Sequence, residues 1–229
     1  DFVHATWWAL LAGLAAWAGV RGVFSAMESP PFIVRVVLGL LPIHGAGFVG
    51  AMVVLRGARP QASWARLVGM KVPAGEGVRH AAWRWLAWAA GMFVVSLALT
   101  NVSAAILRGL GYTPRLNPLV EGVLKSGRLG DWAVVGLVAL IVAPVVEEIL
   151  FRRVVFHALD GAARYAPAAA TSAVMFAFMH GAPAQFAGLF VFGLALQRLY
   201  ARERTLFAPI FAHAVYNLIG LVSLVLSRV

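Results

Sequence analysis

Five stretches of this chain contain no Asp, Glu, Lys or Arg: Phe2–Val20, Val36–Leu55, Leu86–Leu107, Tyr165–Gln197 and Thr205–Ser227. A helix needs about 20 predominantly apolar residues to cross the hydrocarbon core of a bilayer, and runs of this kind have few other uses. They predict an all-α fold: a polytopic transmembrane helical bundle of about seven spans, eight being allowed, around a polar intramembrane cavity. The whole chain, 1–229, reads as a single integral membrane domain.

Composition agrees with that reading. The chain is 62% hydrophobic and 12% charged, with a mean hydropathy of +0.85, whereas a soluble domain is about 25% charged. The net charge of +10 does not point to nucleic acid, because the basic residues sit in short loops between apolar runs. Cytoplasmic loops of membrane proteins collect them there, facing anionic lipid headgroups. The bilayer is therefore an expected partner and nucleic acid is not. Cysteine is absent, which removes disulfides and every thiolate-based nucleophile or metal site. The first apolar run lacks a basic leader, so it reads as a span rather than a cleavable signal.

Along the chain, span 1 is placed at about 6–20 and span 2 at about 31–55. A basic loop follows, with Arg56, Arg59, Arg66, Lys71 and Arg79. Span 3 covers about 81–99 and is drawn toward Leu107. Gly111, Pro114 and Pro118 make 108–131 a loop with room for a short interfacial helix. Span 4 begins near Trp132 and extends through "VVFHAL" at 154–159. The run Tyr165–Gln197 is too long for one span, and "HGAP" at 180–183 offers a Gly and a Pro at which to turn. It divides into span 5, about 167–180, and span 6, about 185–200. Span 7 is about 207–226. Loops on the side of 56–80 carry more Lys and Arg than those on the other side, which places the N-terminus in the cytoplasm and the C-terminus outside.

Few polar residues remain inside the spans. "APVVEEILFRRVVF" at 143–156 carries Glu147, Glu148 and Arg152; His180, His213 and Asn217 follow in spans 5 and 7. A charge at bilayer depth costs about 2.5–3.5 kcal/mol on the mildest scale, so such residues are functional candidates by default. Glu148 and Arg152 are i,i+4 and share a helix face, as do Phe176 and His180, and His213 and Asn217. Glu147 is rotated about 100° from Glu148 and can face a cavity while Glu148 holds the arginine. Pro144 is placed to bend span 4 just before the acids and free a carbonyl one turn earlier. Each residue also has a structural reading. Glu148–Arg152 can be a locking ion pair, and a single His or Asn can be an interhelical hydrogen bond. His4, His44, His80 and His157 receive that reading, and Arg153 is assigned to the headgroups. Convergence of two carboxylates, two imidazoles and an amide on successive apolar elements is what favours chemistry.

Thr171, Ser172 and Ser223 lie beside no carboxylate–histidine pair in a recognisable motif, so a covalent nucleophile is not indicated. A carboxylate and an imidazole can instead hold and deprotonate a water. A second imidazole and a carboxamide can donate to the oxyanion formed when that water attacks a carbonyl. Glu147, His180 and His213 are alternatively a three-ligand zinc set of the His2Glu type. The absence of HExxH excludes only the form in which two ligands share one helix.

Glu147-Glu148 with Arg152, Phe176 with His180, and His213 with Asn217 resemble, in that order, the Glu-Glu-x-x-x-Arg, Phe-x-x-x-His and His-x-x-x-Asn motifs of the CPBP family of intramembrane proteases. That family contains the CAAX prenyl endopeptidase Rce1 and many bacterial Abi-type homologues. The resemblance covers about 132–226, the motif-bearing core. It implies an intramembrane endopeptidase that cuts near the C-terminus of a membrane-associated protein or peptide without a cofactor. Glu147 and His180 would activate the water, His213 and Asn217 would form the oxyanion hole, and Glu148 and Arg152 would be the supporting pair. It also implies a multi-pass protein of a bacterial cytoplasmic membrane. Other classes are a zinc-dependent version of the same hydrolysis, a non-catalytic immunity or scaffold protein, and a small proton-coupled transporter, the last disfavoured by the lack of internal repeats.

Overall fold

The computed structural model describes residues 47–63, 68–70, 76–114, 118–160 and 164–227, with the isolated positions 15, 19 and 45. Span 1, most of span 2, His4 and His44 lie outside the described residues. Those described form seven helices and no strand: α1 Gly47–Ala58, α2 Glu76–Gly109, α3 Pro118–Ser126, α4 Leu129–Asp160, α5 Tyr165–Met179, α6 Phe186–Glu203 and α7 Phe207–Leu226. Among them α2, α4 and α7 are long and apolar enough to cross a membrane, and α1 and α5 are shorter apolar helices. α2 begins five residues before the expected start of span 3 and continues, as drawn, past Leu107 to Gly109, and α3 is the short helix anticipated between 108 and 131.

Contacts between the helices fix the directions in which they run. α5 returns along α4, since Phe156 meets Tyr165 while Ser172 bonds the Phe151 carbonyl. α6 reverses against α5, with Gly193 over Ala173 and Phe192 beside Phe176. α7 runs antiparallel to α4 and parallel to α2, touching Trp85 through Phe207 and Phe93 through Tyr216. The resulting core is continuous, drawing Val54 from α1, Trp85 from α2, Phe151 and Val154 from α4, Phe176 from α5, Leu196 from α6 and Ala212 from α7.

Inside a bilayer, lipid is as apolar as leucine, so close packing and hydrogen bonds hold helices together. The crossing of α2 and α6 shows both. A Cβ on Gly188 would lie 2.6 Å from the Ser96 carbonyl oxygen, so only glycine permits this approach. Beside it, the Tyr216 hydroxyl donates to Ser96 Oγ at 2.8 Å. The outward faces carry Val94, Val102 and Ile106 on α2 and Phe178 on α5, all exposed to the surroundings of the bundle.

α4 is not a uniform helix. Two π-helical stretches, Val138–Val142 and Ile149–Val155, flank the α-helical segment Ala143–Glu148. Pro144 supplies a cause for the first. It has no N–H, and its ring crowds the carbonyl four residues back, so the turn before it widens. The Ala143 N–H accordingly donates to Val138, five residues back. The second stretch closes in the same way, with the Phe156 N–H on the Phe151 carbonyl. Single π turns inside α-helices often mark functional sites, and here the pair brackets Glu147 and Glu148.

The chain turns out of α5 at Gly181, whose positive φ of 59° suits glycine, and Pro183 then opens a short 3-10 turn, Pro183–Gln185. α6 ends at Arg204 in the left-handed region, φ 54°. The Thr205 hydroxyl accepts the Phe207 N–H at 3.2 Å and Leu206 N–H donates to Gly69 at 3.1 Å, which ties the start of α7 to residues 68–70.

Candidate active site

Glu148, Arg152 and His213 form the buried centre. The side chains of Glu148 and Arg152 are fully inaccessible, with Arg152 Nε 2.9 Å from Glu148 Oε2. The i,i+4 spacing sets them on one face even though α4 widens between them. The arginine also lies over the Phe176 ring, 5.5 Å from its centroid, a favourable place for a cation. Glu148 Oε1 meets His213 Nδ1 at 2.9 Å. Removing such charges from water costs several kcal/mol per ion, recovered only where geometry and further hydrogen bonds are good. One carboxylate here serves both a guanidinium and an imidazole.

A carboxylate only accepts, so Nδ1 of His213 carries the proton and Nε2 points onward. Nε2 lies 3.9 Å from Glu147 Oε2, a separation that a single water can bridge. Glu147 sits on the adjacent face of α4 and is the more accessible acid, its side chain 15% exposed against 0% for Glu148. Two aromatic rings hold His213 edge-on: Phe176 at 5.8 Å and Phe192 at 5.3 Å, the latter stacked on Tyr216 at 3.9 Å.

His180 stands at the C-terminal end of α5, with its ring against Phe176 at 4.8 Å. Its Nδ1 is 2.8 Å from the Phe176 carbonyl oxygen. That oxygen can only accept, which fixes the proton on Nδ1 and leaves the Nε2 lone pair available. Phe176 thus touches both histidines and lies under Arg152. Asn217, one turn beyond His213, donates from Nδ2 to the Ala139 carbonyl at 2.7 Å.

Among the described residues no three His, Asp or Glu side chains group closely enough to hold a metal ion. Both His180 and His213 use Nδ1 on other partners, and Nε2 is the atom through which either could ligate.

Two features were not visible in the sequence. Arg153, assigned there to the headgroups, donates to the Tyr200 hydroxyl at 3.1 Å, and the Gly69 backbone approaches its guanidinium. Phe192 supports His213 from α6, where no motif marks it.

The described residues thus make an integral membrane protein of helices packed around a buried carboxylate–arginine–histidine cluster. Residues 129–219 match the model of the family described as Type II CAAX prenyl endopeptidase Rce1-like. The match contains all three motifs. YdiL of Bacillus subtilis (strain 168), named as a proposed membrane peptidase, is 28% identical over 133 residues, covering 57% of this chain and 52% of YdiL. The chain thus spans about half the length of that curated relative. No solved structure matches the chain.

Proposed function

We propose that this protein is an intramembrane endopeptidase that hydrolyses a peptide bond near the C-terminus of a membrane-associated protein or peptide, in a bacterial cytoplasmic membrane. The family match over residues 129–219 supports a membrane peptidase of the CAAX-protease type. The observation that carries the reading is the division of labour between adjacent acids. Glu148 is occupied by Arg152 and His213, while Glu147 faces the more open side, with its Oε2 3.9 Å from His213 Nε2.

In this mechanism Glu147 takes a proton from a water that also donates to His180 Nε2. The hydroxide attacks the carbonyl carbon of the substrate. Charge develops on the carbonyl oxygen, which His213 stabilises from Nε2 when it carries a second proton, together with the carboxamide of Asn217. Removing one donor of this kind typically costs a factor of about 10²–10³. Glu147, protonated by the attack, then returns a proton to the leaving amine. Glu148 and Arg152 fix the position of His213 and offset one of the two negative charges. The scheme uses no metal or other cofactor.

The test compares membrane proteomes of cells expressing wild type or Glu147→Gln at equal levels, with protein C-termini mapped. A discrete set of proteins that keeps its C-terminal segments only in the variant supports the reading. Identical termini in both strains, alongside an equally folded variant, sink it.

A further inference from the structure

At the end of the first π-helical stretch of α4, the Ala143 N–H reaches back five residues to Val138. In that register the Ala139 carbonyl should receive the N–H of residue 144. Residue 144 is proline and has none. The α-register alternative is closed as well, because the Ala143 N–H is engaged with Val138. Ala139 therefore presents an acceptor without a backbone donor, and leaving such a group unsatisfied away from water is costly. Asn217 supplies the missing donor from α7, at 2.7 Å.

That single contact also fixes the amide. A carboxamide can present its oxygen or its NH2 group to a neighbour, and the two ends are otherwise interchangeable in shape. A carbonyl partner accepts only NH2. One N–H is held by Ala139, and the second, in the same plane, is left in a set direction. Asn217 lies one helical turn from His213, which Glu148 holds in the same way through Nδ1. Both groups on α7 are thus anchored by acceptors on α4, His213 by Glu148 four residues after Pro144 and Asn217 by Ala139 five residues before it.

We propose that Pro144 is a positioning residue: by denying Ala139 a backbone donor, it creates the acceptor that orients the Asn217 carboxamide toward the reacting carbonyl. This rests on the oxyanion role given to Asn217 above. Ala139 acts only through its main-chain oxygen, so its side chain carries no part of the effect. The π turn is then a device for aiming a side chain on another helix.

Pro144→Ala restores an N–H at 144. α4 can then return to the α register, in which the Ala143 N–H takes the Ala139 carbonyl and Asn217 is released. The experiment has two arms. In lipid bilayers, solid-state NMR dephasing is measured between carbonyl-13C alanine and side-chain-amide-15N asparagine, with Asn217→Ala identifying the Asn217 signal. The expected result is strong dephasing in wild type and its loss in Pro144→Ala. In cells, the rate at which the Glu147-dependent termini are shortened is followed for wild type, Pro144→Ala, Asn217→Ala and the double variant.

Pro144→Ala should slow shortening about tenfold, the scale of a slightly misplaced catalytic group. Asn217→Ala should slow it further, and adding Pro144→Ala to that variant should change nothing more. Undiminished dephasing in Pro144→Ala overturns the proposal. So does a double variant slowed by the product of the two single factors, which would show that Pro144 acts independently of Asn217. If no Glu147-dependent termini exist, the peptidase reading fails, while the NMR arm still decides whether Pro144 controls the Asn217 contact.

Discussion

Glu147 and Glu148 are neighbours in sequence, yet the two sides of α4 on which they lie are different environments. The Glu148 side is closed: Glu148, Arg152 and His213 are all buried, and the carboxylate meets the guanidinium and the imidazole at 2.9 Å each. The Glu147 side is more open, with the Glu147 side chain 15% exposed and His180 half-buried at the end of α5. A buried ion pair is weak as a source of net stability but very costly to break from one side. A base must instead reach water and substrate. In the proposed mechanism one acid holds geometry and the other does chemistry, and the difference comes from a rotation of about 100° along one helix.

The largest effect that can break this comparison is a contrast between two identical substitutions. Glu147→Gln should abolish processing, a fall of about 10³-fold or more if Glu147 is the base, while leaving the unfolding midpoint in mild detergent nearly unchanged. Glu148→Gln should do the reverse first. It leaves Arg152 buried without a counter-charge, at a cost of about 3–5 kcal/mol, and the folded protein should be lost at lower denaturant. Adding Arg152→Met to Glu148→Gln removes the stranded charge and should recover much of that stability. Reversible unfolding of the four proteins checks this. Equal destabilisation by Glu147→Gln and Glu148→Gln would erase the distinction between the two sides.

The sequence showed the outline of this arrangement more clearly than its details. Charge-free runs located α2 and α7 because a bilayer tolerates little else, and Gly181 with Pro183 marked the end of α5 because both act locally. Helical spacing put Glu148 over Arg152 and His213 near Asn217. What spacing could not give was register inside α4. A π turn has no composition of its own, and which carbonyl is left for Asn217, here that of Ala139, depends on which N–H groups neighbouring residues use. Phe192 was likewise silent, since an aromatic residue in an apolar helix looks the same whether it faces lipid or the His213 ring. Arg153 is a related case. A basic residue at a span end reads as a headgroup contact, and nothing in the sequence indicates that it also bonds Tyr200 beside Gly69.

The smallest effect sharpens the comparison along α4 instead of across it. Each π stretch has a carbonyl reached by a side chain from another helix: Ala139 by Asn217, and Phe151 by Ser172 Oγ at 3.1 Å. The first contact lies beside the proposed oxyanion site. The second lies on the α5 side, where Ser172 is fully buried and the Phe151 ring stands edge-on to Phe176 at 5.4 Å. Losing a neutral hydrogen bond of this kind costs about 1 kcal/mol, and interhelical bonds in membranes average somewhat less. Ser172→Ala should therefore lower stability by about 1 kcal/mol in reversible unfolding and leave the shortening rate of Glu147-dependent termini within about twofold of wild type. Pro144→Ala should show the opposite pattern, slow processing with little loss of stability, because removing an interior proline relieves the helix. If Ser172→Ala slows processing as much as Pro144→Ala does, the two π stretches act as one mechanical unit. The first would then lose its special role in aiming Asn217.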